Sequence, residues 1–375
     1  MSRKLITIST IMTLMSTSVI ADVPNVAADI APIHSLVSRV MDGVGAPKLI
    51  VQSGASPHGY RLRPSEAKAL QDADHVFWMG EELTPWLDSA IGTLASNASV
   101  TTLLDQQGVI LHDFREGALF EAHDHSAHGD DDHDDHDDHK DHDDHDDHDD
   151  HDDHKDHDDH DDHDDHDDHK DHDDHDDHDD HDDHDDHDDH DDHDDHKDHD
   201  DHDDHGSHDP HAWLSPENAK LWLNIIASKL SVSDPENAAT YFMNAAAGQA
   251  EIEAMIAEVK ATLKPVQGGK FVVFHDAYQY FENDFDFYAS GAISLGDSSD
   301  PSPARIEKVQ KRIRDEGIQC VLAEPQFKKG LVATVMEGSD ATASVIDPLG
   351  TELEMGPKLY TQLIKNMAKT LRNCL

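Results

Sequence analysis

The sequence predicts an α/β protein built from two similar lobes joined by one long helix, with a His/Asp-rich loop inserted in the N-terminal lobe. Short apolar strands alternate with helices of about ten residues on both sides of that loop, which is typical of a largely parallel sheet. One helical pattern near the middle of the chain is much longer than the others. The loop itself has almost no apolar residues, and we expect it to be disordered without metal.

The N-terminus has the pattern of a secretory signal peptide over residues 1–21. Arg3 and Lys4 precede an apolar stretch at 5–15, and a small-residue cleavage site ends at Ala21. An anchoring helix is the alternative, but the apolar run is shorter than the ~20 residues that a membrane span needs. We therefore expect an exported protein that does not itself span the membrane.

The N-terminal lobe is predicted over residues 22–233. Apolar runs bounded by turn residues predict its strands, and apolar residues at helical spacing predict its helices. The strands are predicted at 25–30, 48–52 and 75–79, and the helices at 32–41, 64–71 and 217–230.

The loop at about 121–208 interrupts this lobe with a repeat of Asp-Asp-His. Twenty-five such triplets run from 131 to 205, and lysine replaces the first aspartate in four of them. The triplets carry a net charge of −42 out of −55, so the rest of the chain is only mildly acidic at −13. Nothing in that remainder resembles a basic patch, which excludes nucleic acid as a partner.

The interlobe helix is predicted at 234–264 and the C-terminal α/β lobe at 265–375. Its helical pattern runs from Pro235 to about Leu263, and a helix of that length would extend about 40 Å, enough to run along both lobes. In the C-terminal lobe, strands are predicted at 270–274, 287–289, 320–323 and 344–346, and helices at 303–316 and 357–374.

The chain has two cysteines, Cys320 and Cys374, and both lie in the C-terminal lobe. In an oxidising compartment such a pair favours a disulfide over a metal site. Two buried free thiols are the alternative.

Four metal-capable side chains outside the loop lie beside strands or in adjoining turns. His58 and His211 come from the N-terminal lobe, whereas His275 and Asp347 each follow a strand of the C-terminal lobe. Open α/β sheets place ligand sites at the C-terminal ends of their strands, so these residues predict a site in the cleft between the lobes. Three imidazoles and one carboxylate complete a tetrahedral zinc shell. Each histidine taken singly could instead be a surface or locally hydrogen-bonded residue.

Four motifs that contain these residues closely resemble those of the periplasmic zinc-binding proteins of bacterial zinc-uptake ABC transporters, of metal-binding cluster A-I type. The motifs occur in the family's order, and a His-rich loop lies between the first two, as it does here. They are GASPHGY at 54–60 with RPS at 63–65, DPHAWL at 209–214, VFHDAY at 273–278 and DPLG at 347–350.

The resemblance implies a transport protein, not an enzyme. His58, His211 and His275 would bind Zn²⁺ tightly, with Asp347, a water or another carboxylate as the fourth ligand. The protein, which we expect to be a monomer, would deliver zinc to an inner-membrane ABC permease with its ATPase. The resemblance also implies that the interlobe helix is rigid, and a disulfide of zinc-binding members matches Cys320 and Cys374.

Histidines of the loop and its flanks are predicted to form weaker, auxiliary metal sites that collect or buffer zinc. Imidazole and carboxylate alternate there, and both are zinc ligands. A solvated loop without function is the alternative. The histidines assigned to this role are His123, His125, His128, His133, His136, His139, His205 and His208.

Other functions remain open from the sequence alone. A manganese- or iron-binding transport protein of the same family is one, although three imidazoles favour zinc over manganese, which prefers oxygen ligands. A zinc hydrolase would need an open metal position and a base, for which Glu324 or Asp276 could serve. A periplasmic zinc reservoir would depend on the loop alone.

Overall fold

The computed structural model of the protein describes residues 23–115, 208–294, 301–326 and 329–375. Two four-stranded parallel sheets lie within these residues, one in each lobe. The strands of the first sheet are β1 Val26–Ala28, β2 Lys48–Leu49, β3 His75–Trp78 and β4 Ser99–Thr102. Those of the second are β5 Phe271–His275, β6 Ala292–Ser294, β7 Cys320–Ala323 and β8 Thr342–Val345. The strand orders are β2-β1-β3-β4 and β6-β5-β7-β8.

The helices of the first lobe begin close to prolines, whose fixed φ and missing N–H suit the first helical turn. They are α1 Ala31–Val40, α2 Pro64–Gln71, α3 Pro85–Leu94 and α4 Pro216–Ser233. Ser215 caps α4, because its hydroxyl accepts a hydrogen bond from the backbone N–H of Asn218. This cap fixes the point at which the chain turns from the His211 segment into the helix.

The long helix α5, Ala238–Leu263, follows the first lobe and extends about 39 Å. One face of it is buried at spacings of three and four residues, from Tyr241 through Ala245 to Leu263. Gly248 lies on that face, where a Cβ atom would come within 2.9 Å of the Leu223 side chain on α4. The glycine therefore allows α4 and α5 to pack closely.

The helices of the second lobe are α6 Gln279–Phe285, α7 Pro303–Glu316, α8 Lys329–Met336 and α9 Leu359–Cys374. The disulfide predicted between Cys320 and Cys374 is present, and it joins β7 to the end of α9. No helix among the described residues is both long enough and apolar enough to cross a membrane.

One hydrophobic core extends through both lobes. It includes Val26 of the first sheet, Tyr241 of α5 and Leu371 of α9. Hydrogen bonds cross between the lobes in the same region: the Tyr360 hydroxyl donates to the Trp213 carbonyl, and Trp213 Nε1 donates to the Pro348 carbonyl. The lobes are thus parts of one packed unit.

The strand predicted at 287–289 is wrong, because the strand of this region is β6, a few residues later. Asp286 ends α6 in the left-handed conformation, with φ 50°, and the chain then loops back. Phe287 is buried in this loop and stacks on Phe271. Its burial gives a loop the apolar pattern of a strand. Four further elements, α3, β4, α6 and α8, are present without having been predicted from the sequence.

The predicted signal peptide at 1–21 and the Asp-Asp-His triplets at 131–205 lie outside the described residues.

Candidate metal centre

Three histidines that are distant in the sequence come together in the fold. His58 lies in the loop after β2, His211 directly precedes a 3₁₀ turn that leads into α4, and His275 is the last residue of β5. One ring nitrogen from each histidine lies within 4.8 Å of the others. We call these residues the three-His group, and they are three of the four ligands that the sequence predicts.

A buried carboxylate orients the His211 ring. The Asp209 carboxylate Oδ1 lies 2.7 Å from His211 Nδ1 and accepts the backbone N–H of His211 at 3.0 Å. The Asp-Pro-His segment is therefore folded back on itself, and Nδ1 is directed to the carboxylate. The other ring nitrogen, Nε2, faces the three-His group.

A second buried carboxylate orients His275 in the same way. Glu324 Oε1 lies 2.5 Å from His275 Nδ1, and Glu324 Oε2 accepts a hydrogen bond from Gln326 Nε2 at 2.6 Å. Glu324 directly follows β7, which pairs with β5, so adjacent strands supply the ligand and its partner. Such carboxylate partners fix the tautomer of metal-binding histidines and make the free nitrogen a better donor.

His58 is half-buried and completes the group from the first lobe. Its ring centroid lies 5.4 Å from that of His211 and 6.5 Å from that of His275. The preceding residue, Pro57, is held in place because its carbonyl accepts a hydrogen bond from Trp86 Nε1 at 2.7 Å. The loop that carries His58 is thereby attached to α3.

The spacing of the two buried rings matches tetrahedral zinc. Nitrogens that each lie about 2.0–2.1 Å from a tetrahedral zinc ion are about 3.3 Å apart. The Nε2 atoms of His211 and His275 are 3.3 Å apart. If both Nδ1 atoms donate to carboxylates and both rings are neutral, two nitrogen lone pairs face each other at this distance. Their repulsion is removed by a proton on one Nε2 or by a metal ion that both nitrogens bind. The arrangement suits a borderline divalent ion that prefers imidazole.

The structure does not bring Asp347, the fourth predicted ligand, into the three-His group. Its carboxylate oxygens accept hydrogen bonds from its own loop: from the backbone N–H groups of Leu349, Gly350 and Thr351, and from the Thr351 hydroxyl, at 2.6–3.0 Å. As a metal ligand, Asp347 stays a prediction.

Of the histidines predicted to form auxiliary sites, one lies among the described residues. His208 is described, and its Nδ1 lies 2.9 Å from an Asp113 carboxylate oxygen. The others, from His123 to His205, lie outside the described residues.

Asp209 and Glu324 are functional candidates that the sequence analysis did not assign as partners of ligands. Asp209 could have been found from its place two residues before His211. Glu324 could have been found because it directly follows a strand, just as Asp347 does. Its contact with His275 depends on the pairing of β5 with β7, which the sequence does not show.

Comparisons with known proteins identify the family of the chain. The family model described as the periplasmic component A of the zinc-uptake complex matches residues 26–374. The high-affinity zinc uptake system protein ZnuA of Brucella abortus is 44% identical over 350 residues, which cover 93% of this chain and 91% of the relative. ZnuA of Paracoccus denitrificans is 41% identical over 356 residues, which cover 95% of this chain and 93% of the relative.

Solved structures share the fold at low sequence identity. A crystal structure of ZnuA has a TM-score of 0.61 at 18% identity, and the match covers 94% of this chain and 99% of the ZnuA chain. A mutant laminin-binding adhesin from Streptococcus agalactiae has a TM-score of 0.62 at 17% identity, with the same coverage. The family match and the curated relatives show that the chain belongs to the family of periplasmic A components of zinc-uptake complexes, which bind Zn²⁺ for transport and are not enzymes.

Proposed function

We propose that this protein binds Zn²⁺ through His58, His211 and His275 and delivers it to an ABC permease for import. The observation that carries the proposal is the pair of Nε2 atoms 3.3 Å apart, each on a ring whose Nδ1 is bound to a buried carboxylate. The spacing supports a tetrahedral ion, and three imidazoles favour zinc over manganese. The manganese alternative has less support, since manganese prefers oxygen ligands.

Delivery to a permease is supported by the family and by the names of the relatives, which are components of zinc uptake systems. The partner would be an inner-membrane permease powered by an ATPase. The protein would act as a monomer in the periplasm after removal of residues 1–21. These steps are part of the proposal.

The fourth position of the shell is open to Asp347 or a water molecule. Binding through Asp347 would require its loop to move, because the carboxylate is used by Leu349, Gly350 and Thr351. Three histidines alone still make a tight site, with solvent in the remaining position.

The hydrolase alternative loses support from the surroundings of its candidate bases. Both oxygens of Glu324 are hydrogen-bonded, one to His275 and the other to Gln326. Asp276 is paired with Arg115. Neither carboxylate is placed to activate a metal-bound water.

Replacing His211 or His275 by alanine tests the metal site. Competition with a zinc chelator should show that either change removes the tight site, because two imidazoles cannot hold the ion as three do. His75→Ala is the matched control, since His75 is also buried but bonds Ser233 at 2.7 Å, outside the three-His group. A tight site that survives in His275→Ala would contradict the proposal.

Growth under zinc limitation tests the delivery step. Cells that depend on the His211→Ala or His275→Ala protein should fail to grow in chelator and recover with added zinc. The His75→Ala protein should support growth at both zinc levels. A reservoir that depends on the loop alone would predict normal growth for all three variants.

A further inference from the structure

The chain enters and leaves the His/Asp-rich loop through two short segments, 110–115 and 208–211, which we call the neck. Asp113 and His208 form an antiparallel bridge, and their side chains are also in contact. The Asp209 N–H donates to the His112 carbonyl at 2.8 Å. The two segments are therefore joined to each other directly beside His211.

The neck is attached to both lobes. On the first lobe, Asn218 of α4 makes two hydrogen bonds with the backbone of Ile110, at 2.8 and 2.9 Å. On the second lobe, the Tyr280 hydroxyl accepts the His112 N–H at 3.1 Å and donates to the Asp209 carbonyl at 2.7 Å. The neck thus spans the same gap between lobes that the three-His group spans.

Arg115 makes the strongest contact between the neck and the second lobe. Its Nε lies 3.0 Å from both carboxylate oxygens of Asp276, and its Nη1 donates to Glu282 at 2.6 Å. The side chains of Arg115, Asp276 and Glu282 are 13%, 7% and 1% exposed. Charge-assisted, bidentate contacts in such a dry setting are strong and have a defined direction.

The contacts of Arg115 with Asp276 and Glu282 hold the segment that carries one of the proposed ligands. Asp276 directly follows His275, and Glu282 lies on α6, the next helix. Arg115 belongs to the same neck as His211. A side chain that ties the neck to Asp276 therefore restrains the distance between His211 and His275.

We propose that Arg115 is a positioning residue for metal binding, which holds His275 at the spacing from His211 that the ion needs. The inference rests on the proposed role of the three-His group. Because the ligands would be held in place before the ion arrives, binding loses less conformational freedom, and release is slower. Arg115 would not contact the ion.

Arg115 could also act through its charge, and that effect has the opposite sign. A positive guanidinium near the site repels a cation, so its loss would tighten binding. A lysine keeps the charge but cannot make the bidentate contact with Asp276. The pair of variants Arg115→Gln and Arg115→Lys therefore separates positioning from charge.

The test measures release of Co²⁺, a visible probe for such sites, from the full chain loaded with one equivalent. Excess chelator is added in a stopped-flow instrument, and the phase that is absent in His275→Ala is assigned to the three-His group. We expect Arg115→Gln and Arg115→Lys to release Co²⁺ about tenfold faster, which corresponds to the ordering cost of about one immobilised side chain.

Arg39→Gln is the matched control, because Arg39 has the same 13% side-chain exposure and a bidentate contact with Glu251. It should release Co²⁺ at the unmodified rate. If Arg115→Lys releases Co²⁺ at the unmodified rate and Arg115→Gln releases it more slowly, Arg115 acts through its charge, and the positioning role is overturned. Unchanged release from both would also overturn it.

Removing Arg115 alone leaves the buried Asp276 and Glu282 carboxylates without their ion-pair partner, which can prevent folding. The combined change of Arg115→Gln, Asp276→Asn and Glu282→Gln replaces all three charged groups by neutral amides and should also release Co²⁺ faster. Wild-type release from this protein would overturn the inference. If instead His275→Ala leaves the Co²⁺ absorption of the unmodified chain intact, the three-His site itself is wrong, independently of Arg115.

Discussion

At the scale of single residues, the proposed ligands are more predictable than the residues that orient them. His58, His211 and His275 could be identified because each lies in a turn or at a strand end within a recognisable motif. Arg115 could not, since its partners Asp276 and Glu282 are 161 and 167 residues away. Contacts of this kind depend on how the lobes pack, which no local pattern encodes.

Glu324→Gln tests the role of the carboxylate behind His275. An amide cannot provide the negative charge that makes the imidazole a stronger donor, so zinc affinity should fall by about 10- to 100-fold. Titration against a zinc chelator measures this change. Glu337→Gln on the same lobe, outside the three-His group, should leave the affinity unchanged. Equal affinities for Glu324→Gln and the unmodified chain would contradict the assigned role.

Asp29 predicts a pH dependence of stability. Burial raises the pKa of Asp29 to about 7, although hydrogen bonds from the Met79 and Ile30 N–H groups oppose the rise. Because the folded-state pKa exceeds the unfolded value of 3.8, the folded state holds the proton more tightly. The stability that this group contributes is therefore lost as pH rises from about 4 to about 7.

Asp29→Asn removes this titration. The unfolding free energy of the unmodified chain, relative to that of Asp29→Asn, should fall by up to ~1.4 kcal/mol per pH unit across the window. Denaturant unfolding of metal-free protein at several pH values measures the difference. A difference that stays constant, or that rises with pH, would contradict the assignment.

At the scale of elements, the long helix was predictable and the connecting loops were not. Periodic apolar residues extend through α5 from Tyr241 to Leu263, so its length and buried face follow from the pattern. The loop at 287–289 was mistaken for a strand because Phe287 is buried by stacking on Phe271. Burial alone does not distinguish a strand from a packed loop.

Gly248→Leu tests the close packing of α5 on α4. A side chain there would overlap Leu223 and Arg39, with Cβ contacts of 2.9 and 3.1 Å, and should destabilise the protein by about 1–3 kcal/mol. Ala247→Leu places the same side chain on the exposed face of the helix and should change stability by less than about 0.5 kcal/mol. Equal unfolding free energies for the two variants would show that the contact is not tight.

At the scale of the whole molecule, one hydrophobic core unites the lobes, and the three-His group lies where they meet. The family relationship and the two-lobe fold could be predicted from ordered motifs. The shared core through α5 and α9 could not, because it depends on which helix faces meet.

Deletion of residues 131–205 tests whether the loop holds only the weak zinc sites and the three-His group the tight one. We propose that the loop collects zinc at weak sites, so the shortened protein should keep one tight zinc site and lose the weaker ones. Calorimetric titration with zinc measures both classes. Loss of the tight site in a shortened protein that still folds would contradict the division, and an unchanged number of weak sites would show that the loop does not collect zinc.

Diffraction at the zinc absorption edge, from crystals of the chain with one equivalent of zinc, tests whether the three-His group binds the ion. The anomalous peak should lie about 2.0–2.1 Å from one nitrogen each of His58, His211 and His275. The same map would identify the fourth donor as Asp347 or water. A peak elsewhere, or a zinc ion bound without His275, would contradict the account.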